Sequence, residues 1–126
     1  MADLRGVLTV FGERLFGAGT PLRLRPSYFP FVEPGAEADL GCTFCRPWEQ
    51  PAGARPDCRV CKGSGWLEIL GCGMIHPVVF ENVGIDPETW TGFAFGMGID
   101  RIAMLRHGIP SIRMLFDNDP RLLGSL

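Results

Sequence analysis

The sequence lacks the features of membrane proteins, secreted proteins and proteins that bind nucleic acids nonspecifically. Its unbroken apolar stretches are only a few residues long, and residues 1–5 do not have the basic and then apolar layout of a signal peptide. A formal net charge of −2 gives no general attraction to phosphate backbones. Internal repeats and low-complexity segments are also missing. We therefore expect the 126 residues to form one soluble, cytoplasmic domain that does not bind membranes.

Glycine and proline are abundant, with 17 and 11 residues, which favours strands joined by tight turns over a helical bundle. Residues 4–16 are an exception, because their apolar side chains recur at helical spacing. This predicts an amphipathic helix with Asp3 as its N-cap and Gly17 at its end. The alternation of leucine and arginine over residues 22–25 then predicts a strand with a basic face.

Four cysteines form two Cys-x-x-Cys pairs separated by twelve residues, Cys42 with Cys45 and Cys58 with Cys61. This spacing lets two short knuckles place four thiolates around one ion, and zinc accepts four sulfurs at about 2.3 Å. A closed shell of four ligands predicts a structural zinc site. The alternatives are two disulfides, or an iron–sulfur or redox site. Cys72 lies outside the cluster, and we expect it to be a small buried hydrophobe.

The cysteine cluster interrupts a predicted hairpin. Residues 37–40 lead into the first knuckle and residues 65–71 lead out of the second, so these two segments would be the paired arms. Residues 42–61 would form a zinc-ribbon-like lobe inserted between them. The loop from Arg46 to Asp57, which contains Gly53 and Pro56, would take its order from the metal.

The remaining pattern alternates between helix and strand. Residues 77–83 can form one or two helical turns, residues 84–91 a loop and residues 92–95 a strand. Apolar spacing from Ile99 predicts a helix that ends near Gly108. The order predicts an α+β fold in which helices flank an antiparallel sheet, with a small zinc-knuckle lobe.

The tract from Gly92 to Arg101 predicts a strand that runs into a glycine turn opening a helix. Gly96 and Gly98 would let a ligand approach the backbone, and Arg101 would lie on the first helical turn. A helix N-terminus with an arginine suits phosphate. Taken alone this signal is weak, because many such tracts are glycine turns with a surface arginine.

A second distinctive tract, Arg-Pro-Ser-Tyr-Phe-Pro-Phe, lies at residues 25–31. With both tracts in order, the chain resembles the C-terminal part of the catalytic α subunit of bacterial phenylalanyl-tRNA synthetases, which are class II aminoacyl-tRNA synthetases. The resemblance covers nearly everything outside residues 42–64. It includes residues 66–74, 82–87 and 113–123.

The resemblance implies that residues 1–126 are part of a class II catalytic domain. This family uses ATP and magnesium to convert phenylalanine to phenylalanyl-adenylate, and it transfers phenylalanine to tRNA(Phe) as a heterotetramer with a β subunit. By its match to the class's third motif, Arg101 would be the catalytic residue that contacts the terminal phosphate of ATP. Gly96 and Gly98 would belong to the same ATP site. Glu68 would bind magnesium with the phosphates.

The resemblance also implies a pocket for the substrate's benzyl group. Phe29 and Phe31 correspond to the two rings that recognise it, and rings presented edge-on would favour a phenyl substrate over aliphatic ones. Val32 and Ala94 would line the same pocket. The small side chain of Ala94 leaves room at the para position, so glycine there should admit larger analogues.

Two departures from the family limit these expectations. The dimer-forming first motif and the arginine of the second motif are absent, so we expect a fragment that does not catalyse pyrophosphate exchange alone. The cysteine lobe replaces a short turn, and a solvated rim is a better expectation for its basic residues than a tRNA contact. Those residues are Arg46, Arg55, Arg59 and Lys62. The alternatives are a noncatalytic synthetase-like protein that binds nucleic acid or a protein through this lobe, and a metal-stapled domain without a ligand.

Overall fold

The structure, a computed structural model, describes residues 1–51 and 57–124. Gly53, Arg55 and Pro56 of the predicted loop lie outside these residues. Short 3₁₀ turns cover Pro47–Glu49 and Ile112–Leu115. The helices and strands are α1 (Ala2–Phe16), β1 (Leu22–Pro26), β2 (Val32–Gly41), β3 (Trp66–Ile75), α2 (Pro77–Asn82), β4 (Phe93–Met97), α3 (Ile99–Arg106) and α4 (Pro120–Leu123).

The strands form one antiparallel sheet in the order β1-β2-β3-β4, and each strand pairs with the next along the chain. This confirms the predicted α+β fold. The interrupted hairpin is also confirmed, because β2 and β3 pair up to Gly41 and Trp66, immediately before the first knuckle. Both arms are longer than predicted, since β2 already begins at Val32 and continues through Pro34, and β3 extends to Ile75.

One face of the sheet, which we call the core face, packs against α1. Ala36 pairs with Cys72 and Ala38 with Leu70, so these four side chains point to the same side. They form one apolar cluster with α1 residues, of which Leu8 is 1% exposed. Cys72 is 3% exposed, as predicted for a small buried hydrophobe.

The start of α1 corrects one detail of the sequence prediction. The helix begins at Ala2 with Met1 as N-cap, and no side chain caps it. Asp3 therefore lies within the first turn instead of before it. There its carboxylate still interacts favourably with the positive end of the helix dipole. This explains why an aspartate stands at the start of the helix although it is not the N-cap.

The β2–β3 ladder contains a bulge close to the cysteine lobe. Ala38 pairs with Leu70 and Asp39 with Glu68, so Ile69 is an extra residue in β3. The bulge divides the ladder into a longer part and a short part, in which residues 39–41 of β2 pair with residues 66–68 of β3. Glu68 therefore lies in a short terminal ladder segment that the knuckles close.

The glycine-rich tract folds differently from its prediction in one respect. Gly96 lies within β4, so only Gly98 forms the turn, where it is the N-cap of α3. Neither glycine has a positive φ. Helix α3 and its position before Gly108 are confirmed, and Arg101 lies on its first turn. No helix in residues 1–51 and 57–124 is long and apolar enough to cross a membrane.

Candidate functional site

The face of the sheet opposite α1, which we call the open face, carries a shelf of small residues. Gly71 pairs with Gly96 and Gly73 with Ala94, one position out of step with the core-face residues. The absent side chains matter at Gly71, because a Cβ there would lie 2.9 Å from Cζ of Phe29. Phe29 can therefore lie directly on the strand only because residue 71 is glycine.

An aromatic cavity of about 260 Å³ lies over this shelf. Its lining includes Phe29, Phe31, Ala94 and the Gly71–Gly96 pair. The two rings are stacked, with centroids 6.0 Å apart and planes 27° apart. The structure thus brings together three of the four residues predicted to surround a benzyl group.

Val32, the fourth residue predicted for this pocket, occupies a different position. It is 3% exposed and packs over Gly73, where a Cβ would lie 2.7 Å from Cβ of Val32. Val32 therefore supports the shelf from beside the cavity. Gly73 pairs with Ala94, which does line the cavity.

A second cavity, of about 340 Å³, joins the residues predicted for ATP. Its lining includes Glu68, Gly98 and Arg101 together with Gly71 and Gly96. The last two residues also line the aromatic cavity, so the two cavities share a border at this glycine pair. Phe31 and Arg101 therefore line two cavities that share this glycine pair.

Arg101 is held in the second cavity by the backbone of β3. Strand β4 pairs with β3 only as far as Leu70 and Met97, so the carbonyl of Glu68 has no partner from β4. Arg101 Nη1 donates to this carbonyl at 2.8 Å. Within the described part of the chain this is the only hydrogen bond of the guanidinium, so it anchors the side chain and leaves the other N–H groups available to a ligand.

The Glu68 side chain belongs to a charged network on the open face. Asp39 is 2% exposed and accepts hydrogen bonds from Arg23 at 2.8 Å and from Arg25 at 2.6 Å. Burial alone would raise the pKa of Asp39, but the two arginines hold it below its usual range. Arg25 also pairs with Glu37 at 2.7 Å and lies 3.7 Å from the Glu68 carboxylate.

The sequence interpretation missed Asp39. It predicted the basic face of β1 correctly but assigned it no acidic partner. The available signal was the alternation of β2, in which Asp39 sits between core-face residues Ala38 and Leu40 and must therefore point to the open face.

The four clustered cysteines converge on one point. Their Sγ atoms all lie within 4.8 Å of one another, with 3.8 Å between Cys42 and Cys58 and 3.6 Å between Cys45 and Cys61. Disulfide bonds would need about 2.05 Å, so the disulfide alternative is wrong for these thiols. Four sulfurs around zinc, each at about 2.3 Å, would lie about 3.8 Å apart, which is close to the separations of these two pairs.

The protonation of these thiols differs with their surroundings. Burial raises the pKa of Cys42 and of Cys45. In Cys61 the raising effect of burial is overcome by the Gly65 N–H, which donates to Sγ at 3.3 Å, and by the neighbouring thiols, so that the pKa falls to about 7. Cys61 is thus more easily ionised than Cys42 or Cys45 to the thiolate that binds metal.

The cysteine lobe packs directly on the end of the hairpin. The Cys42 N–H donates to the Gly65 carbonyl at 2.8 Å, and Gly65 adopts a φ of +76° that favours glycine. The Trp48 ring covers Gly41, where a side chain would clash with it. Ser64 Oγ donates to the Cys61 carbonyl at 2.7 Å and accepts from the Trp66 N–H at 3.2 Å. Knuckle and strand are therefore connected by hydrogen bonds.

A larger cavity lies elsewhere, between the ends of α1 and α3 and the first knuckle. It measures about 490 Å³, and its lining includes Phe16, Phe44, Arg106 and His107. It does not include the Gly71–Gly96 pair or the aromatic rings predicted to bind substrate. Size alone therefore does not identify the functional site.

Known proteins match this chain along its whole length. The model for the class II core domain (F) of tRNA synthetases matches residues 1–126. The phenylalanine–tRNA ligase α subunits of Trichlorobacter lovleyi and Geobacter sulfurreducens are each 58% identical, over 97% and 96% of this chain. That of Sorangium cellulosum is 53% identical over 100%. The matches cover 34%, 33% and 34% of those relatives, so the chain spans about a third of their length.

Proposed function

Because this chain belongs to the family of class II tRNA synthetase core domains, we propose that it holds phenylalanine and the ATP phosphates in a phenylalanine–tRNA ligase α subunit. The complete enzyme would form phenylalanyl-adenylate and transfer phenylalanine to tRNA(Phe). The observation that carries this proposal is the border at Gly71 and Gly96 between an aromatic cavity and an arginine-bearing cavity. Adenylate formation requires an amino-acid carboxylate beside the α-phosphate, and adjoining sites supply that proximity.

The aromatic cavity would take the benzyl group of phenylalanine. Phe29 lies against the glycine shelf and Phe31, which is 55% exposed, forms the outer ring. Aromatic contacts of this kind contribute about 0.5–1.5 kcal/mol per pair beyond area burial, which discriminates against aliphatic side chains. Ala94 would limit the depth of the cavity at the para position.

Arg101 would bind the terminal phosphate of ATP. Its hydrogen bond to the Glu68 carbonyl fixes the side chain, and its free N–H groups can then stabilise the charge that develops on the leaving pyrophosphate. A Cβ at Gly96 or Gly98 would meet no atom of residues 1–51 and 57–124 within 4 Å, which leaves room for the nucleotide over both residues. The N–H groups at the start of α3 would add further donors.

The donor chemistry near Arg101 fits magnesium. The Glu68 carboxylate is 51% exposed, and magnesium usually binds through one or two carboxylates together with substrate phosphates. Magnesium would offset phosphate charge when it arrives with ATP. Arg25 would keep the Glu68 side chain at this side of the sheet.

The four cysteines would hold a structural zinc ion. Their separations fit tetrahedral coordination, and four protein ligands leave no open position for a catalytic water. Metal binding would close the β2–β3 hairpin, which the knuckles join.

The wider assembly is also part of this proposal. A family role in translation implies tRNA(Phe) and a β subunit as partners, in a heterotetramer located in the cytoplasm, where thiols stay reduced. Large apolar side chains exposed in this chain would be covered by the rest of the enzyme, among them Tyr28 at 85%, Val83 at 66% and Trp90 at 63%. For the basic residues of the lobe, a solvated rim remains the better expectation than a contact with tRNA.

A hybrid enzyme tests the proposed activity with this chain's own residues. The chain would replace the matching segment of the Geobacter sulfurreducens α subunit, which would be produced with its β subunit. We expect phenylalanine-dependent exchange of pyrophosphate into ATP by the hybrid. Arg101→Ala should lower this exchange by about 100-fold, because a donor to the transition-state charge is lost.

Arg5→Ala is the matched control, because Arg5 is exposed on α1, across the sheet from the cleft. It should leave the exchange rate unchanged. A folded hybrid without phenylalanine-dependent exchange, or equal rates for the two arginine variants, would contradict the proposed function and favour a noncatalytic synthetase-like protein.

A further inference from the structure

The second knuckle of the cysteine lobe borders the site of Arg101. A groove of about 220 Å³ is lined by Val60, Leu67, Arg101, Met104 and Ile112, together with Glu68 and Leu105. Val60 lies between the metal-binding residues Cys58 and Cys61, and it is half-buried. Val60 of the lobe and Arg101 therefore border the same mainly apolar groove, where the arginine's aliphatic stem can be supported.

A second connection runs through the backbone. Ser64 links the carbonyl of Cys61 to the first residue of β3. Two residues later, the Glu68 carbonyl accepts the hydrogen bond that fixes Arg101. The path from a metal ligand to the arginine's anchor thus spans only eight residues of sequence.

The bulge at Ile69 makes this path sensitive to the metal site. The ladder pairs from Asp39 to Gly41 lie between the bulge and the knuckles, so the longer part of the ladder does not hold them directly. Asp39 and its two arginines support the segment from the open face. Its other end is closed by the cysteine cluster, and strand ends without such closure open locally at low free energy.

We propose that metal bound by the four cysteines positions Arg101, so that occupancy of the cysteine site controls affinity for the triphosphate of ATP but not for phenylalanine. The effect on ATP affinity rests on the proposed function, whereas the positioning of Arg101 by the metal does not. Val60 is a positioning residue in this mechanism. The aromatic cavity lies beyond the bulge, and none of the described residues of the lobe lines it.

Hydrogen exchange on the full 126-residue chain tests the positioning directly. The chain would be compared with one equivalent of zinc and after removal of zinc by a chelator. We expect amide protection at Leu67, which pairs with Leu40, to fall about tenfold without zinc, with less than a twofold change at Cys72 and Gly73 beyond the bulge. Equal loss at both ends of β3, or no loss at either, would overturn the proposal.

Substrate kinetics in the hybrid enzyme give an independent readout. Val60→Ala should raise the KM for ATP about fivefold and leave the KM for phenylalanine unchanged, because only the arginine loses support. Val60→Ile should keep the KM for ATP near that of the unmutated hybrid, and Val7→Ala, at an exposed valine of α1 outside the groove, should have no effect.

The two possible failures are distinguishable. An unchanged KM for ATP in Val60→Ala, or an equal rise in both KM values, would overturn the coupling while leaving the synthetase activity intact. A hybrid without activity would contradict the proposed function. The difference in hydrogen exchange between the two ends of β3 would then be the test of whether the metal site orders the anchor of Arg101.

Discussion

The two faces of the sheet are built from different residues for different purposes. The core face presents alanine, leucine and cysteine side chains that form one buried cluster with Leu4 and Leu8 of α1 and Leu105 of α3. The open face presents glycine, aromatic rings and paired charges, and much of it remains exposed. Since both faces share the same strands, the difference shows that stability comes mainly from one side, while the other side keeps space for ligands.

The largest expected effect is on the core face. Leu8→Ala should lower the free energy of unfolding by about 3 kcal/mol, because Leu8 is 1% exposed and a cavity would remain. Phe31→Ala, on the open face, should cost less than about 1 kcal/mol because Phe31 is 55% exposed. Urea unfolding of the zinc-loaded chain measures both. Similar losses for the two variants would break the distinction between the faces.

Asp39 is the buried exception on the open face. Asp39→Asn should lower the free energy of unfolding at neutral pH by about 2 kcal/mol, since charge-assisted bonds to Arg23 and Arg25 are lost. Because the folded-state pKa lies below the usual 3.8, this stability is present above that pH and is lost as the pH falls through the lowered value. Chemical unfolding at a series of pH values should show wild type and variant converging in acid. A constant difference would mean that the carboxylate charge is not responsible.

Substitutions at the two shelf glycines, Gly71 and Gly96, should affect stability differently but activity alike. Gly71→Ala should cost about 1–2 kcal/mol, because the new Cβ would lie 2.9 Å from the Phe29 ring. Gly96→Ala meets no atom within 4 Å and should leave stability unchanged. Both should weaken phenylalanine-dependent exchange by the hybrid enzyme, since both positions line the cleft. Full activity of a folded Gly96→Ala hybrid would argue against a ligand at the shared border.

The smallest expected effect concerns the size of the aromatic cavity. Ala94→Gly should raise kcat/KM for para-chlorophenylalanine relative to that for phenylalanine. The expected gain corresponds to the burial of one methylene group, about 0.8 kcal/mol. The ratio of kcat/KM for the two substrates in the hybrid enzyme measures this. An unchanged ratio would mean that Ala94 does not limit the para position.

Local patterns in the sequence were sufficient for much of the fold. The 3.6-residue spacing predicted α1, the leucine–arginine alternation predicted β1, and the paired Cys-x-x-Cys motifs predicted both the cluster and the hairpin that it interrupts. Each of these signals lies within a short window, so no long-range register was needed. The extension of β2 across Pro34 was missed because proline normally ends a strand.

The site was less accessible to sequence reasoning because it depends on contacts between distant residues. Arg101 could be placed on a helical turn, but its bond to a backbone carbonyl 33 residues away carries no side-chain signature. The bulge at Ile69 depends on how β2 and β3 are paired, which neither strand encodes alone. Val32 was assigned to the pocket by the family resemblance, although in the structure it is buried and packs over Gly73 beside the cavity.

One titration tests most directly whether the two adjoining cavities form a single cleft. A nonhydrolysable phenylalanyl-adenylate analogue would be added to the zinc-loaded, isotope-labelled chain, and amide chemical shifts would be followed. Saturable shifts at Gly71, Gly96 and Phe31, with Ala38 on the core face unmoved, are the predicted result. Saturable shifts confined to the larger cavity, at Phe44 and His107, would contradict the account.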